Sequence, residues 1–314
     1  MGIQIRLLRE SDLPEADRII RLAFGTFLGL PDPMAVFGDS DFAYTRFAAA
    51  PDAALAAEAD GKLVGSNFVT GWGGVGFFGP LSVEPWLWGR KVAQQLLEPT
   101  MDLFAKWGCR HAGLFTFSHS PKHAALYQKF GFWPRFLTPV MSKPVTAAPL
   151  DGDEYVRYSR LSPAQKAEVL EDCRNLTDQI YAGLDVSREI HAVDVQNLGD
   201  TILLLDGSKV VAFAVCHAGP KTEAGSGMCY AKFAAVRPGN GAQQTFEQLL
   251  GASGRLAASL GVQRLVAGVN MSRHEAYRTM VAQGFRTDLQ GVTMHRENDA
   301  GYHRPGLYVL DDWR

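Results

Sequence analysis

The stretch LSVEPWLWGRKVAQQLLEP, Leu81 to Pro99, decides the fold, because the chain carries a second version of it, AAVRPGNGAQQTFEQLLGA, Ala234 to Ala252. The two versions align at an offset of 153 residues, which pairs Pro85 with Pro238. Three landmarks further along keep the same offset: Gly108 with Gly261, Gly131 with Gly284, and Met141 with Met294. The offset is constant from Pro85 to Met141, which indicates an internal repeat and not merely two amphipathic helices that look alike.

Each copy predicts the same order of elements. In the first copy, strand-like runs predict strands at Ile3–Leu8, Ala53–Ala59, Lys62–Thr70, Phe77–Val83 and 112–117. Capping residues and helical spacing predict a helix opening at Ser11-Asp12, a helix over Val92–Trp107, and a helix over 120–130 that Gly131 ends. With a closing strand, the order β-α-β-β-β-α-β-α-β indicates an α+β fold whose mixed, mostly antiparallel sheet is flanked by helices.

The repeat divides the chain into two tandem units of similar size. We place the first unit at residues 1–145 and the second at 153–314. The segment Met141–Tyr155 joins them, and its later part is rich in Pro, Ala and Asp, which predicts an exposed linker.

The composition narrows the class of protein. The 314 residues are 46% hydrophobic, which suits a globular chain with a core, and the net charge of −2 predicts neither nucleic acid nor an anionic membrane as a partner. No apolar run is long enough to predict a membrane span. The first residues lack the layout of a signal peptide, so we expect a cytoplasmic protein.

Three features resemble the GNAT superfamily of acyl-CoA N-acyltransferases. They are Val83-Glu84-Pro85 after the fourth strand, the basic turn before a helix with Leu96-Leu97, and ALYQKFGF at 125–132. The resemblance covers nearly the whole chain, twice. It implies two GNAT-like units and transfer of an acyl group, acetyl above all, from acetyl-CoA to a small-molecule or peptide amine, without a metal.

The basic turn matches the place where the family holds the diphosphate of CoA. A helix N-terminus with free N–H groups suits such an anion. The resemblance assigns CoA binding to six residues: Trp88, Gly89, Arg90, Lys91, Val92 and Ala93. At the 153-residue offset, Phe246 replaces Ala93 and two glutamines replace the basic pair, so the first copy is predicted to bind CoA and the second to be degenerate. The alternative is an exposed basic turn without a ligand.

Tyr127 stands where the family has a tyrosine that protonates the departing CoA thiolate. The second copy has Met280 there, which carries no proton to give. The alternative is that Tyr127 is a core aromatic of an amphipathic helix. The resemblance also places Ser120 beside the pantetheine arm, and the N–H groups of Leu81 and Val83 against the pantetheine and the thioester carbonyl, as a small oxyanion hole.

The general base is the least defined part of the predicted site. His119 follows the fifth strand and has a side chain whose ordinary pKa suits proton transfer. Glu84 and His123 are weaker candidates, and a chain of water molecules to bulk solvent is an equal alternative.

Two further questions stay open at the level of sequence. Aromatic residues could line an acceptor pocket or form the contact between the two copies; they are Trp72, Phe77, Phe78, Trp86 and Trp88. The chain could also be a non-catalytic module that binds an acyl-CoA or a metabolite, or an acyl-CoA lyase or decarboxylase on the same fold.

Overall fold

The computed structural model describes residues 2–145, here called the first half, and 155–314, the second half. The helices of the first half are α1 (Leu13–Phe27), α2 (Ala43–Ala49), α3 (Val92–Lys106) and α4 (Pro121–Gln128), and those of the second half are α5 (Pro163–Ile180), α6 (Ser187–Gln196), α7 (Ala242–Ser259) and α8 (His274–Ala282).

The strands of the first half are β1 (Ile3–Leu7), β2 (Ala54–Ala59), β3 (Lys62–Trp72), β4 (Val75–Phe78), β5 (Ser82–Val83), β6 (His111–Phe117) and β7 (Phe132–Pro144). Those of the second half are β8 (Val156–Arg157), β9 (Gly199–Asp206), β10 (Lys209–Gly219), β11 (Gly225–Val236), β12 (Arg264–Gly268), β13 (Arg286–Arg296) and β14 (Val309–Leu310).

The strands form one sheet that runs through both halves. Its order is β1-β2-β3-β4-β6-β13-β7-β12-β11-β10-β9-β8, with β5 attached to β3 and β14 to β11. Only β4 with β6 and β11 with β12 run parallel among the described strands. The predicted α+β class, with a mixed and mostly antiparallel sheet in two GNAT-like units, is confirmed. The predicted order of elements is found in the first half with two differences: α2 is an addition, and the predicted strand Phe77–Val83 is split into β4 and β5.

The repeat is visible in the strand registers. Val75 pairs with His111 in the first half and Met228 with Arg264 in the second, and both members of the pair are displaced by 153 residues. The two halves therefore fold the repeated sequence in the same way.

Strands β7 and β13, which follow the last helix of each half, each lie between two strands of the other half. Strand β13 is hydrogen-bonded to β6 and β7, and β7 in turn pairs with β12. Met141–Pro144, predicted as the start of the linker, are therefore strand residues, because all four pair with β12 and the first two also pair with β13. Residues 146–154 of that linker lie outside the described residues, and the division at 145 and 153 stays a prediction.

The aromatic residues that could line a pocket or join the two copies lie at different places in the structure. The indole of Trp72 lies against Phe77 and Phe233, and Phe77 stacks on Trp313, so these side chains join the two halves. Trp86, in contrast, is 59% exposed. Phe78 and Trp88 face the cavity described below.

Helix α3 shows why this part of the sequence folds as it does. Its apolar residues recur at helical spacing, and Val92, Leu96, Leu97 and Phe104 are buried against the sheet. This packing fixes the N-terminus of α3 beside the ends of β4 and β6. Within residues 2–145 and 155–314, no helix is long and apolar enough to cross a membrane.

Candidate active site

A cavity of about 1140 Å³ opens in the first half beside the interruption between β4 and β5. Its walls come from the N-terminus of α3, from β6, from α4, and from residues of the second half. The volume lies slightly above the usual range of small-molecule pockets, roughly 300–1,000 Å³, so an extended ligand fits.

One end of the cavity is the N-terminus of α3. Lys91 caps the helix in the left-handed conformation, with φ of 64°, and its side chain makes no capping hydrogen bond. The N–H groups of Val92, Ala93 and Gln94 belong to the first turn, where the helix supplies no acceptor. All three residues line the cavity. This end can therefore receive an anion.

Positive charge surrounds that helix N-terminus. Lys91, Lys122 and Lys129 line the cavity. The Lys122 ammonium lies 4.7 Å from the centre of the Trp88 ring, and the Trp88 indole donates to the carbonyl of Val83 at 2.9 Å. The sequence analysis missed Lys122 and Lys129, although both flank Tyr127 on its predicted helix.

Five of the six predicted turn residues line the cavity, and Arg90 does not. Arg90 is exposed and its amide bonds back to Leu87, so the turn directs it away from the cavity. Its position in the family signature gave no indication of this direction.

The middle of the cavity runs along an open strand edge. Strand β5 pairs with β3 on one side, and the amide of the next residue, Glu84, donates to Val64 at 2.9 Å. Because backbone groups alternate along a strand, the amide of Val83 faces the opposite side, toward the cavity. Leu81 and Val83 both line it. The geometry is compatible with the predicted contact to pantetheine, which stays a prediction.

The corresponding edge in the second half is filled by the chain itself. Strand β14 pairs with β11 through Leu310 opposite Ala234 and Val309 opposite Ala235. The amide of Val236, 153 residues after Val83, donates to the carbonyl of Tyr308 at 3.1 Å. The backbone groups that face the cavity in the first half are therefore used for internal pairing in the second.

The turn of the second half also differs from the sequence alignment. The left-handed cap of α7 is Gly241, with φ of 83°, so it corresponds to Lys91 and not to Trp88. Helix α7 extends three residues further toward its N-terminus than α3, which an alignment without gaps cannot show. Phe246 lies inside this helix, fully buried, with its ring 5.2 Å from that of Tyr308. Phe246 is therefore turned inward and does not occupy the turn.

Tyr127 lines the far part of the cavity from α4. Its ring lies 5.8 Å from that of Phe78. Burial raises the pKa of Tyr127 well above its usual value, and Thr116 offsets only part of this effect. The phenol therefore keeps its proton at neutral pH. Met280 holds the matching place in α8 and is fully buried.

The structure favours His123 over His119 as a proton acceptor. His119 is exposed and lies outside the cavity lining, whereas His123 lines the cavity and its buried Nδ1 lacks a partner within the described parts of the chain. Burial, with a smaller effect of Lys122, lowers the pKa of His123 to about 4. Its imidazole is therefore neutral at pH 7. His123 and Tyr127 are four residues apart and share one face of α4.

Ser120 and Glu84 are engaged elsewhere. The Ser120 hydroxyl accepts the amide of His123 at 3.3 Å and caps α4, and Ser120 does not line the cavity. Glu84 forms an ion pair with Arg18 and also lies outside the lining. Neither position supports the role given to it from the sequence.

The second half supplies the wall opposite α3. Glu223, Ser226, Tyr230 and Arg314 line this end, together with Asp39 of the first half. These residues carry no family signature, and they reach the cavity only through the packing of the two halves.

Both carboxylates of this wall are held in the ionised form. Burial alone would raise the pKa of Glu223. The side chains of Arg46 and Lys232 each lie 2.8 Å from its carboxylate, and they hold this pKa well below its usual value. Asp39 accepts from the amide of Ser226 at 2.8 Å, and hydrogen bonds from Ser226 lower its pKa. Glu223 is thus neutralised by two cations, and among the described residues Asp39 is the carboxylate of this wall that forms no ion pair with a lysine or arginine.

The comparisons with known proteins agree with this geometry. The acetyltransferase (GNAT) family model matches residues 20–132. A candidate acetyltransferase from Pyrococcus horikoshii superposes with a TM-score of 0.68 at 14% identity, over 99% of this chain and 95% of its own. A GCN5-related N-acetyltransferase from Sphaerobacter thermophilus gives 0.58 at 15% identity, over 97% and 96%.

A glucosamine N-acetyltransferase region of a fungal multi-domain β-N-acetylglucosaminidase gives a TM-score of 0.61 at 14% identity, over 94% of this chain and 38% of that one. No curated protein matched the sequence. At these identities the structural likeness shows the fold, and the family match over residues 20–132 relates the first half to GNAT acetyltransferases. The chain thus has a GNAT-like fold in two units, and its first half is similar in sequence to that family.

Proposed function

We propose that the first half transfers an acetyl group from acetyl-CoA to an amine, and that each chain binds one CoA. A single observation supports this most strongly: one cavity joins the α3 N-terminus, the open edge at Val83 and the phenol of Tyr127. The matching edge of the second half is closed by β14.

The residues present fit CoA along the length of the cavity. The amides of Val92, Ala93 and Gln94 would hold the diphosphate, with Lys91 and Lys122 as counter-charges. The pantetheine arm would follow the edge of β5, where the amide of Val83 has no partner strand. The thioester would then lie beside Tyr127.

The chemistry follows from the protonation states of the lining residues. The amine nitrogen forms a bond to the acetyl carbonyl carbon, and the bond from that carbon to the CoA sulfur breaks. Tyr127 gives its proton to the departing thiolate, because burial keeps the phenol protonated until sulfur develops charge. The products are an amide and free CoA.

The proton lost by the amine needs an acceptor within the cavity. His123 is neutral and faces the cavity from the same helix as Tyr127. Asp39 and Glu223 are poorer bases because their pKa values are lowered by the partners described above. We assign the role to His123, with a chain of water molecules to bulk solvent as the competing route.

The acceptor would enter from the wall that the second half supplies. Asp39 there carries a negative charge without a cationic partner among the described residues, and this charge favours a cationic amine over an anionic acceptor. A small-molecule or peptide amine is therefore the expected substrate class. The second half serves as a wall of the site instead of a second catalytic centre.

Thiol release tests this function directly. Purified protein is mixed with acetyl-CoA and a panel of amines, and free CoA thiol is followed with time. We expect release that depends on the amine. Release without any amine would instead indicate hydrolytic or lyase chemistry, and CoA binding without release across the panel would indicate a binding module.

A further inference from the structure

Three histidines meet where the two halves join, and we call them the histidine cluster. His111 begins β6, His295 lies on β13, and His303 lies between β13 and β14. All are buried, at 2%, 0% and 2% exposure, and none lines the cavity. The centres of the rings of His111 and His303 lie 4.9 Å and 4.5 Å from that of His295. One nitrogen from each ring lies within 4.8 Å of the other two.

Most nitrogen atoms of the histidine cluster lack a hydrogen-bond partner. His295 Nδ1 lies 2.7 Å from the carbonyl oxygen of Asp299, which makes it the donor and leaves a lone pair on Nε2. That Nε2, and both ring nitrogens of His111 and of His303, have no partner in the described residues. Buried polar atoms are normally paired, so five nitrogens without a hydrogen bond, with one from each ring close to the other two, indicate a missing ligand.

Arg273 lies near the histidine cluster and is paired with Asp311 at 2.6 Å. A neutral imidazole with a free lone pair is the form that binds a metal ion.

We propose that His111, His295 and His303 bind one Zn²⁺ ion. The carboxylate of Asp299 lies 3.6 Å from His111 Nδ1 and is 53% exposed, so it can turn to supply the fourth ligand. Three imidazole ligands with one carboxylate suit Zn²⁺, whereas Mg²⁺ and Ca²⁺ prefer oxygen ligands. Zinc–nitrogen bonds of roughly 2.0–2.1 Å require the rings to approach by on the order of 1 Å.

The ion would act structurally by joining the two halves. His111 comes from the first half, and His295 and His303 from the second. The ring of Trp313 packs against all three, with centre distances of 5.7, 5.5 and 4.7 Å. Trp313 and its neighbour Arg314 line the cavity, so the ion would also fix one wall of the proposed active site.

Metal binding is measured on the tag-free full chain after treatment with a chelator. We expect the folded protein to take up one Zn²⁺ per chain, with a rise in Tm, and to give the visible absorption of tetrahedral Co²⁺ when cobalt replaces zinc. His295→Gln and His303→Gln should each weaken Zn²⁺ binding at least tenfold. His191→Gln, at an exposed histidine outside the cluster, is the matched control and should bind like the parent.

Two results would overturn the proposal. One is a folded parent chain that takes up no stoichiometric Zn²⁺ and shows no cobalt spectrum, a test that holds even if a variant fails to fold. The other is Zn²⁺ binding in both cluster variants with the affinity of the parent.

Discussion

The two halves carry the same repeat in the same register, yet their clefts differ. In the first half the amide of Val83 faces an open cavity, whereas in the second the amide of Val236 is bonded to Tyr308. Tyr127 lines the open cleft, and Met280 is buried in the core at the matching place. The comparison shows that a strand edge can bind either a ligand or a segment of its own chain.

The segment that closes one cleft also helps to build the other. After pairing as β14 in the second half, the chain continues to Trp313 and Arg314, which line the cavity of the first. The closed strand edge of the second half and the wall of the cavity in the first half therefore depend on the same six residues, Val309–Arg314. Matched changes in the two halves should therefore differ in their effects on catalysis and on stability.

Tyr127→Phe removes the proton but keeps the ring. If the phenol protonates the thiolate, kcat should fall by about 10²–10⁴-fold while the affinity for acetyl-CoA changes little. Met280→Leu is the matched change in the second half and should leave kcat unchanged. Thiol release under saturating substrate measures both, and a parental kcat in Tyr127→Phe would return this residue to a packing role.

Leu310→Ala should destabilise the fold, because Leu310 is 1% exposed and packs in the core of the second half. Loss of such a side chain costs roughly 2–5 kcal/mol. Leu81→Ala, at the open edge, should cost less stability and mainly raise KM for acetyl-CoA. Urea unfolding and steady-state kinetics measure the two effects. Equal losses of stability would mean that both edges are structural.

His123→Gln should lower kcat/KM by about tenfold, less than typical for a general base, because a group with a pKa near 4 accepts protons weakly. The depressed pKa means that His123 becomes protonated only as pH falls toward 4. The ratio of parent to variant kcat/KM should therefore stay constant from pH 8 to about 5.5 and fall below that. A ratio of one throughout would favour the water route.

Lys91→Ala should raise KM for acetyl-CoA about two- to fivefold, because an exposed charge contributes roughly 1 kcal/mol or less. The effect should shrink in high salt. Arg90→Ala is the control, since Arg90 points away from the cavity, and it should leave KM nearly unchanged. A larger effect of Arg90 than of Lys91 would contradict the observed turn.

Much of the fold was predictable, because the 153-residue offset and the periodicity of the elements are local properties of the sequence. The choice of strand partner is not local. Nothing near β13 indicates that it lies between β6 and β7, and nothing near Val309 indicates that it pairs with β11. The histidine cluster shows the same limit, since His111 and His295 are 184 positions apart.

The candidate site was predictable in part for the same reason. The repeat and the resemblance predicted three parts of the site that line the cavity: Tyr127, Val83 and the start of α3. The ranking of His119 above His123 from the sequence is not supported by the cavity lining, because which of them faces the cavity depends on where α4 begins. Arg90 and Ser120 were assigned by position in a motif, which does not fix the direction of a side chain.

Calorimetric titration of CoA into the full chain tests the central claim, that only the first half has a CoA site. The account predicts one site per chain. Ala93→Asp places a negative charge where the diphosphate would bind and should weaken binding at least tenfold. An acidic residue at a helix N-terminus is otherwise favourable. Gln243→Asp makes the matching change in α7 and should bind like the parent. Two equivalent sites, or binding lost in Gln243→Asp and kept in Ala93→Asp, would contradict the account.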